Sequence, residues 1–289
     1  MFPANFGYLP ARSVKEALEL LSRHGEDAKF LAGGHSLIPA MKLRLAAPRY
    51  LIDLGTIPGL RGIRQDGETL IIGALTVHAD VASADLVRRH LPGLADAALA
   101  IGDVQVRNRG TIGGSVAHAD PGADFPVMLS ALGASFVLQS ASGSRTVAVH
   151  DFFLDFFTTA MQPSELLTEI GVPLPPPGTA SAYAKLRHPA SGYVVVSAGV
   201  SIQRDPAGTC TSCRISVGGL GGAPIRARAA EMELHGKLLN SQVIAAAAAK
   251  AAEGTDPDGD TYASAEYKRH VATVYARKAI GAAVARATG

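Results

Sequence analysis

The chain has 289 residues, 47% hydrophobic and 18% charged, enough apolar side chains for one large or two modest globular domains. With 27 basic against 25 acidic residues and a net charge of +2, it lacks the dense Lys/Arg block that nucleic-acid binding uses, so no nucleic-acid partner is expected. The opening residues lack a basic segment followed by an apolar one, and no run of about 18 apolar residues occurs, so a soluble, cytoplasmic chain is expected.

The first predicted element is a helix over 13–24, where Ser13-Val14-Lys15-Glu16 reads as a capping box, Val14, Ala17, Leu18 and Leu21 repeat at helical spacing, and Gly25 offers a stop. A short strand, Lys29 to Ala32, runs into the pair Gly33-Gly34, followed by a Ser36-Leu37-Ile38-Pro39 turn and a second apolar run, Tyr50 to Leu54. Strands are predicted on either side of Asp66-Gly67 between about 60 and 75, then a helix near 91–101 leads to a second glycine pair, Gly113-Gly114. A helix over 125–132 precedes two strands, 135–139 and 145–149, and the proline-rich segment 172–178 reads as a linker. Beyond it, Val194 to Gln203 and Cys210 to Val217 flank Asp205-Pro206-Ala207-Gly208 as a hairpin, and helices are expected at about 223–239, 243–252 and 265–287. Strands and helices segregated in this way indicate an α+β fold.

Several familiar chemistries are absent from the pattern. Gly219-Leu220-Gly221-Gly222-Ala223-Pro224 starts like a dinucleotide fingerprint, but proline replaces the last glycine and no strand, helix and downstream acid complete it. None of the nine histidines forms an i, i+4 pair on a helix, and no nucleophile elbow occurs, so no metal site and no catalytic side chain is assigned. The only cysteines, Cys210 and Cys213, lack the further ligands that a metal or cluster needs. On a regular strand their side chains point to opposite faces, so they read as structural, with a redox disulfide as the alternative.

What remains is the two Gly-Gly segments, each followed by a serine, Ser36 and Ser115. Glycine admits a ligand to its backbone, so two such segments meeting in space could hold the two phosphates of a dinucleotide on N–H groups, without lysine. Two ordinary turns are the alternative reading.

Ala32-Gly33-Gly34-His35-Ser36-Leu37-Ile38-Pro39, Thr111-Ile112-Gly113-Gly114-Ser115 and Asp120-Pro121-Gly122-Ala123-Asp124-Phe125-Pro126, in that order, resemble the FAD-binding medium subunit of the molybdenum hydroxylases, the carbon monoxide dehydrogenase and xanthine dehydrogenase family. The resemblance covers essentially the whole chain, including 163–170 and 183–187. It implies an FAD-binding domain of the p-cresol methylhydroxylase type over 1–177, in subdomains of about 1–56 and 57–177. A C-terminal domain over 178–289, a three-stranded sheet with a helical bundle, would follow.

By the same resemblance, Phe30, Leu31, Ala32, Gly33, Gly34, His35, Ser36 and Leu37, with Thr111, Ile112, Gly113, Gly114 and Ser115, wrap the FAD diphosphate. Asp124 is aimed at ribityl or ribose hydroxyls, since a carboxylate on the phosphates would be repelled. Ile101 and Leu167 match positions that pack on the cofactor, although either suits a plain core. Lys185 matches a lysine whose charge can stabilise the anionic reduced ring, and Tyr193 an aromatic over the flavin. Ser115 departs from many relatives, which carry asparagine there.

The implied activity is that of an oxidoreductase subunit. A large subunit oxidises substrate at a molybdenum cofactor, a small subunit carries single electrons through iron–sulfur clusters, and this chain's FAD passes them to NAD, a quinone or oxygen. A dimer of heterotrimers is implied, with peripheral attachment at the inner face of a membrane as an alternative location. An independent FAD oxidase or reductase of the same fold, and a scaffold subunit without cofactor, are the competing readings; flavin content separates the last.

Overall fold

The computed structural model describes residues 2–287. Residues 1, 288 and 289, the outermost positions of the two expected domains, lie outside the described residues.

Helix α1 (Val14–His24) forms where the spacing predicts it, with Ser13 Oγ accepting the Glu16 N–H at 3.1 Å. It connects β1 (Gly7–Pro10) to β2 (Ala28–Leu31), and β3 (Tyr50–Asp53) lies between these strands, parallel to both. The expected turn at Ser36–Pro39 is instead the start of a short helix, α2 (Leu37–Lys42), in which Pro39 stands in the first turn, where its missing N–H costs nothing. Ala17, Leu18, Ala28 and Ile52 form a small core under this sheet.

The second sheet has the order β4-β5-β10-β6-β7, made of β4 (Ile63–Asp66), β5 (Thr69–Gly73), β6 (Ser135–Ser140), β7 (Gly143–Ala148) and β10 (Leu166–Pro173). The expected turn at Asp66-Gly67 is present, with Gly67 at φ +55°, and β6 pairs with β7 as predicted. Between β5 and β6 the chain is almost wholly helical: α3 (His78–Ser83), α4 (Asp85–His90), α5 (Pro92–Ala100), α6 (Val104–Arg107), α7 (Ile112–His118) and α8 (Asp124–Leu132). Of these, only α5 and α8 were anticipated, because the others are too short to develop a helical repeat of apolar residues. Helix α9 (Val149–Phe152) and the small hairpin β8 (Phe153–Asp155) with β9 (Thr158–Thr159) complete this part, whose core is built around Phe125, Met128, Phe136 and Phe152.

The C-terminal sheet is β11 (Thr179–Arg187), β12 (Val194–Arg204), β13 (Cys210–Gly218) and β14 (Ile225–Arg226), in that order. It has three long antiparallel strands, as expected, plus a two-residue edge strand. That edge strand replaces the start of the helix expected at 223–239, because Ile225 and Arg226 pair with Val217 and Ser216; the helix α10 runs only over Arg228–Leu234. One face of the sheet packs on α10, α11 (Ser241–Ala249) and α12 (Ala265–Arg286), and the other on α5 and α8. Gly199 and Gly218 make that second contact close, since a Cβ on either would touch Met128 or Val127.

Candidate functional site

The two glycine segments are in direct contact. A Cβ on Gly33 would fall 2.3 Å from the Arg109 carbonyl oxygen and 2.8 Å from Gly110 Cα, and one on Gly114 would lie 3.9 Å from Ala32 Cβ. Only glycine at 33 lets the first loop rest on the backbone that leads into the second.

Their hydrogen bonding differs sharply. The N–H groups of Gly33, Gly34, His35, Ser36 and Leu37 find no acceptor among the described residues, so five consecutive donors are left open where β2 hands over to α2. In the second segment the four N–H groups over 112–115 are already used. Ile112 donates to the Thr76 carbonyl (3.0 Å), Gly113 to that of Ala74 (2.8 Å), Gly114 to Thr111 Oγ1 (3.1 Å) and Ser115 to the Thr111 carbonyl (3.0 Å). The expectation that the glycines of both segments offer their backbone N–H groups is therefore corrected for Gly113 and Gly114. Gly113 is required instead because a Cβ there would lie 2.5 Å from the Cβ of Ala74. The Thr111 N–H, without an acceptor among the described residues, and the hydroxyls of Thr111, the N-cap of α7, and Ser115 are the donors left on that side.

Phe30 and Ala32 pack against the small N-terminal core, and Leu31 accepts the Leu54 N–H from β3's end, so this strand anchors the open loop. Ile101 closes α5; its carbonyl accepts from Arg107 Nη1 at 2.9 Å, bracing the loop before Thr111. Leu167 is buried in the large core on β10, which matches the plain-core alternative for that residue.

Asp124, Lys185 and Tyr193 form a second cluster, joined to the first by α7, about 10 Å long at 1.5 Å per residue. Asp124 is only 4% exposed, and both carboxylate oxygens are engaged: Tyr183 Oη donates to Oδ1 at 2.9 Å, and Lys185 Nζ lies 2.8 Å from Oδ1 and 3.0 Å from Oδ2. Burial pushes this carboxyl above its usual range, against the pull of the Lys185 ammonium. Lys185 also donates to the Gly192 carbonyl at 2.9 Å. Tyr193, 47% exposed, stands at the head of β12 with its ring beside Gly122, whose carbonyl accepts the Val194 N–H. Burial, and then the Asp120 carboxylate, raise its phenol pKa.

Two residues belong to this site that the sequence reading did not single out. Tyr183, on β11 with its hydroxyl on Asp124, is buried, and its phenol is held well above its ordinary pKa by burial and by the carboxylate. His78 opens α3 beneath the glycine segments: its N–H donates to the Gly110 carbonyl at 3.0 Å, and its Nε2 would meet a Cβ on Gly110 at 2.4 Å. Burial, then His35 and Arg107, lower its pKa to about 4, so it is neutral at pH 7, and its buried Nδ1 has no partner among the described residues. Nothing in spacing marks either residue, because each matters through a contact some tens of positions away.

Comparison with known proteins accords with this geometry. Residues 4–175 match the family described as the FAD binding domain in molybdopterin dehydrogenase, and residues 181–283 match the CO dehydrogenase flavoprotein C-terminal domain. The carbon monoxide dehydrogenase medium chain of Hydrogenophaga pseudoflava is 42% identical, with 99% of each chain covered. The glyceraldehyde dehydrogenase medium chain of Sulfolobus acidocaldarius is 38% identical over 96% of this chain and 98% of its own. A solved carbon monoxide dehydrogenase structure from Hydrogenophaga pseudoflava superimposes with a TM-score of 0.95 at 44% identity, covering 99% of both chains. The chain thus belongs to the FAD-binding medium subunits of the molybdenum hydroxylase family, related to carbon monoxide dehydrogenase, and is an oxidoreductase subunit.

Proposed function

We propose that this chain holds FAD across the two clusters and serves as the electron-output subunit of a molybdenum hydroxylase complex. The observation that carries the reading is the run of five open N–H groups over Gly33–Leu37, in the loop that rests on the Arg109-Gly110 backbone leading into the second glycine segment. The donor set fits a diphosphate: consecutive backbone N–H groups bind anions without a counter-charge, and the Thr111 and Ser115 hydroxyls of the second segment add donors. Phe30, Leu31 and Ala32 set the position of that loop, and Ile112, Gly113 and Gly114 set the other side by packing.

The chemistry that FAD supplies when bound is the exchange between one-electron and two-electron transfer. The chain's own contribution is positioning and charge. Asp124 and Gly192 fix the Lys185 ammonium, so a cation is held ready for negative charge that reduction places on the ring. Tyr193, exposed at the head of its strand, is placed to cover one ring face. Asp124 acts on the cofactor's hydroxyls only through an oxygen that it shares with Tyr183 or Lys185.

The proposed partners are a molybdenum-binding large subunit and an iron–sulfur small subunit, arranged as a dimer of heterotrimers, with NAD, a quinone or oxygen as acceptor. Relatives named for carbon monoxide, glyceraldehyde and nicotine match 96–99% of this chain, which supports a substrate chosen outside the medium subunit. The division at 177/178 is supported by the ends of the two family matches, at 175 and 181.

Purification of the chain with whatever accompanies it in its native source, followed by flavin identification and metal analysis, tests the reading. FAD together with molybdenum and iron is the expected result; an active complex whose medium chain releases no flavin refutes it.

A further inference from the structure

The face of the C-terminal sheet that packs on α5 and α8 changes character at one end. The register places Thr179, Gln203 and Ser212 in one rung across β11, β12 and β13, and Ser181, Ser201 and Arg214 in the next. Side chains at these alternate positions share one side of the sheet, so six polar groups form a patch of about 10 Å by 7 Å, from a strand spacing of about 4.8 Å and a rise of about 3.4 Å per residue. None of the six is acidic. Where α4 and α8 end the patch is left uncovered, and a cavity of about 210 Å³ opens over it, walled by His90, Leu132, Leu174 and Pro175.

Arg214 gives the cavity its charge. Its guanidinium occupies the place that a Cβ of Gly133 would take, just beyond the last turn of α8, where the helix dipole favours a cation. It enters no ion pair among the described residues, and no Asp or Glu lines the cavity to neutralise it. Ser181 accepts the Gly93 N–H at 3.0 Å and keeps its own hydroxyl proton to donate. Gln203 Nε2 holds the linker through the Pro177 carbonyl at 3.1 Å, and the prolines around that contact have little backbone freedom, so the rim is formed before a ligand arrives.

We propose that this cavity is a binding site for a small organic carboxylate, an acid whose body is a single aromatic ring or a short branched chain. The planar guanidinium matches the two oxygens of a carboxylate, and the serine hydroxyls beside it donate to the same group. Leu132, Leu174 and Pro175 take the apolar body out of water. The cavity is smaller than the about 300 Å³ at which pockets for drug-sized ligands begin, which excludes a nucleotide. Ser181 and Lys185 stand on the same side of β11 about 13 Å apart, at about 3.3 Å per residue, so this site is separate from the Asp124–Lys185 cluster and does not rest on FAD binding.

The test is isothermal titration calorimetry of the full chain, with FAD added in excess, against benzoate, benzyl alcohol and inorganic phosphate. The expected result is saturable one-to-one binding of benzoate, with the neutral ring and the bare anion each at least about fivefold weaker. Arg214→Met should weaken benzoate at least about fivefold. Ser212→Leu, which adds bulk at an exposed position on the cavity's edge, should weaken benzoate although the charge is kept. Arg277→Met removes an exposed arginine of α12 outside the cavity and should bind benzoate as the parent does, with unchanged circular dichroism as the check on folding in all three variants. No saturable benzoate binding, equal binding of benzyl alcohol or phosphate, or benzoate affinity unchanged in Arg214→Met overturns the proposal.

Discussion

The Lys185 ammonium lies within 3.0 Å of both carboxylate oxygens of Asp124, with each side chain only 5% exposed, so an ion pair closes the seam between α8 and β11. A buried pair is costly to half-remove. Lys185→Met should destabilise the chain by roughly 3–5 kcal/mol at pH 8, where Asp124 is left as an unpaired anion. Protonation relieves that charge, and loss of the lysine moves the carboxyl further up, so the penalty should shrink toward pH 5. Urea unfolding at the two pH values checks this; an equal penalty at both contradicts it.

His78 gives a pH dependence of definite sign. Its folded pKa of about 4 lies below the unfolded value of 6.5, so the stability it contributes is complete above pH 6.5 and is lost as pH falls toward 4. The full loss is about 3 kcal/mol, from 1.36 kcal/mol per unit. In His78→Gln, stability should fall less steeply between pH 6.5 and 4 than in the parent, measured by denaturant unfolding across that range. Parallel curves would mean that His78 takes up its proton as easily in the folded chain as in the unfolded one.

Gly33 should tolerate no side chain. Its Cβ would press within 2.3 Å of the Arg109 carbonyl, so Gly33→Ala has to part the two glycine segments. FAD affinity should fall by at least about tenfold, equal to 1.4 kcal/mol. A change elsewhere in the same chain, Gly25→Ala, meets no neighbouring atom within 4 Å and should leave FAD content alone despite its φ of +54°. Equilibrium dialysis with FAD distinguishes the pair.

Much of this was legible in residue order, and the reasons are local. The Ser13 cap, the Asp66-Gly67 turn and the alternating segments of the second half announce themselves within a few positions. The two Gly-Gly segments were visible too, and their contact holds in the fold. Which N–H groups stay open was not legible, because Ala74 and Thr76, from a distant strand end, supply the acceptors that consume the second set. The β-bulge at Thr211, where the pairing of β12 with β13 steps from Gln203↔Ser212 to Arg204↔Cys210, was hidden for the same reason: it exists only relative to β12, and it reverses the side on which Cys210 sits. Helices α3, α4, α6 and α7 are held by tertiary packing and caps rather than by a repeat of their own.

The most direct measurement concerns Ser36. It is exposed, is the N-cap of α2 and makes no capping bond of its own, so Ser36→Asp should leave the helix as stable or more so. The new carboxylate would at the same time occupy and repel at the open N–H groups. The account predicts that Ser36→Asp keeps its melting temperature while its FAD affinity falls at least about tenfold, and that Ser36→Ala stays near the parent. Full FAD binding by a stably folded Ser36→Asp would contradict the claim that Gly33–Leu37 holds the diphosphate.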